Sequence, residues 1–233
     1  MYKNIILLPI ACVLFLGCSN INTTKCFPVL FPYPEYLYKA ELEALSDSKN
    51  YYNREEKYNL FNLTFFLTKE WSYEKISEDT IKFKNKNDRV FILSLNTDKY
   101  FSDDWQSFRF VGCTEFKKEK SSQQRSVSSY YYDLFMITDE KATQRSDVWY
   151  YYILWSKTNL LRDAIRLVKY QGKNIDAYQK NIDPKCNCSH GSMRTHIAIF
   201  PKSISPNYIT ITAGFTDDDF FLSFLTMLNE LNP

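Results

Sequence analysis

The sequence predicts an α+β fold, a mainly antiparallel sheet covered by helices. Three observations carry this. Short alternating segments separated by turn residues fill the middle of the chain. Two longer runs space their apolar residues as a helix does. No internal repeat is visible.

The chain opens with Met1-Tyr2-Lys3 and an apolar stretch from Ile5 to Leu16, then Gly17-Cys18-Ser19. A bilayer-spanning helix needs about 20 residues, so this stretch is too short to cross and reads as a removable leader. Leu14-Phe15-Leu16-Gly17-Cys18 resembles the lipobox of bacterial lipoproteins. That resemblance implies cleavage before Cys18, a diacylglycerol on its thiol and an acylated new N-terminus. Two acyl chains give durable attachment where one is marginal. Ser19 after the cysteine points to the periplasmic side of the outer membrane in a Gram-negative host. An ordinary secretory signal, or a short buried helix, is the competing reading.

Residues 18–56 read as a tether with a short N-terminal helix, and residues 57–233 as one globular domain. The tether is punctuated by Pro28, Pro32 and Pro34, and Tyr38, Leu42 and Leu45 predict a helix over Glu35–Leu45. Leu63–Leu67, Thr80–Lys84 and Arg89–Leu95 predict a three-stranded meander with one buried face. Phe108–Gly112 is a further candidate strand, and Ser129–Ile137 suits strand or helix equally. The longest helix is expected from Ser146 to Tyr170, with Gly172 as its C-cap glycine. A shorter helix is expected near Ile175–Lys180, then strands at His196–Phe200 and Tyr208–Ala213. Thr216 is expected to cap a terminal helix whose first turn holds Asp217, Asp218 and Asp219, where carboxylates favour the positive end of the dipole.

The segment from Asn62 to Trp71, followed by two alternating strands, resembles the opening of PsbP/Mog1-like domains, with Thr68 and Lys69 where those carry a proline. The resemblance implies an α/β/α sandwich used for binding, in a family with few enzymes.

Composition narrows the function. Apolar residues make up 45% of the chain, enough for a substantial core, and the net charge is only +2. Lys117-Lys118-Glu119-Lys120 is short and reads as a solvated loop, and no long basic run of the kind that marks nucleic-acid binding remains. Cys26, Cys113, Cys186 and Cys188 remain after the leader and the lipidated Cys18, an even number that favours disulfides in an oxidising compartment. A Cys113–Cys186 bridge would close a loop of about 70 residues and stabilise by roughly 4 kcal/mol before strain.

Cys186, Cys188, His190, Met193 and His196 form the densest chemical cluster. Thiolate, thioether and imidazole together suit Cu(I) or Zn(II). Disulfide formation would remove the thiolates, leaving a pinned loop with two surface histidines. Sequence patterns of hydrolases, zinc proteases and nucleotide-binding loops do not occur, and none implies a cofactor. The triplets Tyr130-Tyr131-Tyr132 and Tyr150-Tyr151-Tyr152 stand out, the second flanked by Trp149 and Trp155. At 100° per residue a helix cannot bury three consecutive tyrosines, so aromatic surface should remain exposed, with Tyr151 and Trp155 as candidate partner-binding residues. The expectation is a lipid-anchored, non-enzymatic envelope module that binds a protein or glycan, with envelope metal binding as the alternative.

Overall fold

The computed structural model describes residues 40–45, 56–97, 126–137, 153, 156–157, 160–161, 164–185 and 193–233. Ten strands are present there: β1 (Glu41–Ala44), β2 (Glu56–Leu60), β3 (Leu63–Leu67), β4 (Trp71–Ser77), β5 (Thr80–Asn85), β6 (Val90–Thr97), β7 (Ala164–Gln171), β8 (Ile175–Ile182), β9 (Thr195–Pro201) and β10 (Asn207–Ala213). Two helices accompany them, α1 (Val127–Met136) and α2 (Asp218–Leu231). Eight strands form one mixed sheet in the order β1-β7-β8-β9-β10-β6-β5-β4, while β2 and β3 form a separate hairpin. Only the β1–β7 pairing is parallel. An α+β fold dominated by antiparallel sheet is therefore what the chain adopts.

Successive residues of a strand point to opposite faces, and the two faces of this sheet carry different cores. Val168, Tyr170, Ile175, Ala177, Ile197, Ile199, Phe83 and Phe91 belong to the larger cluster, which takes in Phe221, Phe224, Leu225 and Leu228 of α2 and Leu63, Phe65 and Leu67 of β3. Aromatic rings interlock there: Phe83 stacks on Phe91 at 4.7 Å, and Phe65 meets Phe224 edge-on at 5.3 Å. Each fully buried side chain of this size contributes about 1.5–3 kcal/mol. The smaller cluster joins Leu167 and Tyr178 to Leu134 and Phe135 of α1 and to Ala40.

Helix α2 begins at Asp217 rather than Thr216, because the Asp217 carboxylate accepts the Phe220 N–H at 3.0 Å. Asp218 and Asp219 fill its first turn as expected. At its other end Asn232 clamps the outer edge of β3. Its side-chain oxygen accepts the Thr64 N–H at 2.7 Å, and its amide donates to the Thr64 carbonyl at 3.0 Å. Phe66 N–H points at the Met227 sulfur, 3.2 Å away, so α2 satisfies an edge that β2 cannot reach.

Five further expectations are corrected. Glu41–Ala44, inside the expected Glu35–Leu45 helix, is the strand β1. Only residues 153, 156, 157, 160 and 161 of the expected Ser146–Tyr170 helix are described as helical, and Ala164–Gln171 is β7. Ile175–Lys180 is strand, not helix. Gly172 lies in the β7–β8 turn, donating to the Ile175 carbonyl, and caps no helix. It is glycine because an added Cβ would stand 2.3 Å from the Asn229 side-chain oxygen. The meander exists, but its strands are β4, β5 and β6, with Leu63–Leu67 displaced to the hairpin. The ambiguous Ser129–Ile137 is helical.

Candidate functional site

Helix α1 is started by Ser126, whose Oγ accepts the Ser129 N–H at 3.1 Å. Its carbonyl end is held by two donors on Phe135: the Ala40 N–H at 3.0 Å and the Lys157 ammonium at 3.1 Å. A cation suits that end of the dipole. Lys157 is nevertheless fully buried, and desolvation lowers its pKa to about 7.

So held, α1 presents Ser128, Ser129, Tyr132 and Asp133 along one side, spaced as neighbours on a helix surface. Opposite them, Asp176 and Tyr178 project from β8 two residues apart and so on one face. These six residues line a pocket of about 300 Å³. Tyr132 is 46% exposed, and the Lys169 ammonium lies over its ring, 4.5 Å from the centroid. Lys169 is the cross-strand neighbour of Tyr178. Among the tyrosine triplets, exposed aromatic surface is therefore found at Tyr132. Tyr151 and Trp155 lie outside the described residues.

Tyr178 is the unusual member. Its ring is packed between Phe135, Tyr131 and Phe200, and only 4% of the residue is exposed. Its hydroxyl has no hydrogen-bond partner among the described residues. Buried hydroxyls almost always have one. Burial pushes its pKa up, and the charges of Asp176 and Asp133 push it further, so the hydroxyl keeps its proton. A donor is thus held at a pocket wall beside the Asp176 carboxylate, which accepts.

A second polar network lies on the α2 face. Asp218 accepts from Gln179 at 2.7 Å, Asn181 at 2.9 Å and Arg166 at 2.5 Å. Arg166 also grips Glu41 and Glu43 of β1 at 2.7 and 2.8 Å. Burial would raise the Asp218 pKa, but the Asn181 and Arg166 hydrogen bonds outweigh it and hold the carboxyl below its ordinary range. Donors and acceptors are matched here, which marks a structural clip joining β1, β7, β8 and α2. A third feature, a groove of about 680 Å³, runs between β2 and β4 and is floored by Tyr58 and Trp71.

Of the sequence-predicted ligand set, His196 sits on β9 with its Nε2 3.3 Å from the Tyr131 hydroxyl. Met193 precedes that strand. Cys186, Cys188 and His190 lie outside the described residues, as do Cys18, Cys26 and Cys113. Among the described residues, no three His, Cys, Asp or Glu side chains converge as metal ligands, and no helix is long and apolar enough to cross a membrane.

No protein-family model, curated protein or solved structure matches this chain.

Proposed function

We propose that this protein is a membrane-tethered, non-enzymatic binding module of the bacterial envelope. In this reading acyl chains on Cys18 hold a three-layer α/β/α body at the bilayer, and the α1 face engages a ligand or partner there. The leader and Gly17-Cys18 support the tether. One observation supports the binding face above all: the α1–β8 pocket pairs an exposed aromatic ring with a buried tyrosine hydroxyl that lacks a partner among the described residues.

Two measurements test the reading. Mass spectrometry of the membrane-extracted protein should find the chain beginning at an acylated Cys18. An intact leader or an unmodified thiol would overturn the anchor. Retention of envelope components from detergent extracts should fall when Tyr132→Ala and Asp133→Asn are introduced together, with circular dichroism unchanged. Identical retention by wild type and variant would overturn the binding face.

A further inference from the structure

From the donors and acceptors lining the α1–β8 pocket, we infer that it is a saccharide subsite, taking one sugar ring through a pair of its hydroxyls. The inference rests on the binding-module reading and names its ligand class. A hydroxyl group both donates and accepts. Among the described residues the Tyr178 Oη–H has no acceptor, and the Asp176 carboxylate beside it accepts only, so an occupant that reaches both must accept and donate. A sugar hydroxyl can accept from Tyr178 while it or its neighbour donates to a carboxylate.

An ammonium or guanidinium group would satisfy the carboxylates but has no lone pair for the tyrosine proton. The charge of the site also disfavours it as the intended occupant. The Lys169 ammonium over the Tyr132 ring already offsets part of the negative charge, so the pocket is less anionic than its two carboxylates suggest. An anion would meet both carboxylates directly.

Size and walls agree with a sugar. About 300 Å³ is the lower end of the range for small-ligand pockets, roughly 300–1,000 Å³, and suits a single ring. Tyr132 supplies an exposed aromatic surface against which the C–H face of a pyranose can pack. Ser128 and Ser129 add hydroxyls at the rim.

The test uses the full-length protein in detergent micelles, with glucose, mannose and N-acetylglucosamine as probes and spermidine as the cationic comparison. Saturation-transfer NMR reports contact, and titration calorimetry reports affinity. At least one sugar should bind, and Tyr178→Phe and Asp176→Asn should each weaken it by about tenfold or more. Tyr178→Phe should leave the urea midpoint of the unliganded protein unchanged, because no hydrogen bond to a described residue is lost. That result separates a ligand-binding hydroxyl from a structural one. Sugar binding that survives both substitutions would overturn the assignment to this pocket while leaving the binding-module reading standing. Spermidine binding that is lost in the same variants, without sugar binding, would overturn the ligand class. Absence of binding by every probe would overturn the inference, and the envelope-retention assay would then judge the reading separately.

Discussion

Replacing Asp218 with alanine should destabilise the domain by about 3 kcal/mol. The figure is built from what the carboxylate holds. Gln179 and Asn181 are 0% and 2% exposed, and both direct amide N–H groups at the same Asp218 oxygen. Asn181 has no other acceptor for its amide among the described residues, so it bears the full cost of an unsatisfied buried donor, about 1–3 kcal/mol. Gln179 keeps the Asn181 oxygen at 2.9 Å and loses only one of two partners, about 1 kcal/mol. Arg166 keeps Glu41 and Glu43 and is part-exposed, so solvent screening makes its share small. Asp218→Asn provides the control. It retains an oxygen for both amides but turns an N–H toward the guanidinium, and should cost only about 1 kcal/mol. The assay is urea unfolding followed by tyrosine and tryptophan fluorescence at pH 7. Because the folded carboxyl titrates below its unfolded value, the stabilisation is present above the ordinary carboxylate range and lost as pH falls through the lowered pKa. The acid limb of the stability profile should therefore flatten in both variants. An Asp218→Ala loss below about 0.5 kcal/mol, or an equal loss in Asp218→Asn, would refute the hydrogen-bond account.

Gly172→Ala should cost about 2 kcal/mol, since the new methyl group must displace the Asn229 side chain that accepts the Asn174 N–H at 2.8 Å; thermal denaturation reads it. Asn232→Ala should cost about 2 kcal/mol by unpairing both backbone groups of Thr64, and amide hydrogen exchange at Thr64 should accelerate with it. Lys157 carries its proton in the unfolded chain up to about pH 10 but gives it up near pH 7 when folded. Between those values the unfolded state binds more protons, so stability should rise with pH, by up to about 1.4 kcal/mol per unit. Lys157→Met should abolish that rise between pH 7 and 9.5 and should be the more stable protein at pH 7.

The elements legible from sequence are those whose buried face is apolar throughout. Strands β5, β6 and β10 alternate buried with more exposed residues, β9 is a short apolar run buried on both faces, and α2 carries its apolar residues at helical spacing above three aspartates. The β7–β8 hairpin was illegible because both of its faces are covered. Leu167 and Val168 are adjacent, point to opposite cores and are both buried, so the run Ala164–Tyr170 mimics one side of a helix. In β8 the disguise is polar. Gln179 and Asn181 occupy the buried face because Asp218 satisfies them, and they erase the period of two. Strand β1 is hidden for a related reason. Glu41 and Glu43 read as the wet side of a helix but are partners of an arginine across the sheet edge.

The same misreading conceals the α1–β8 pocket. The tyrosine triplet signals exposed aromatic surface, and Tyr132 supplies it. Asp133 and Asp176 carry no signal until the hairpin brings β8 beneath α1. Tyr178 could not be singled out at all, since its distinction is a missing partner, and that is a property of the packed state alone.

Strand β1 is the first described strand of the chain and an edge of the large sheet. It lies alongside β7, parallel to it, so tension along the chain acts along the strand and shears its ladder instead of peeling bonds away singly. Arg166 stitches that short strand to both β7 and the start of α2, spreading the load into the middle of the molecule. A force drawn along β1 would therefore meet several bonds at once, and the charged stitch beneath them, before the sheet gave way.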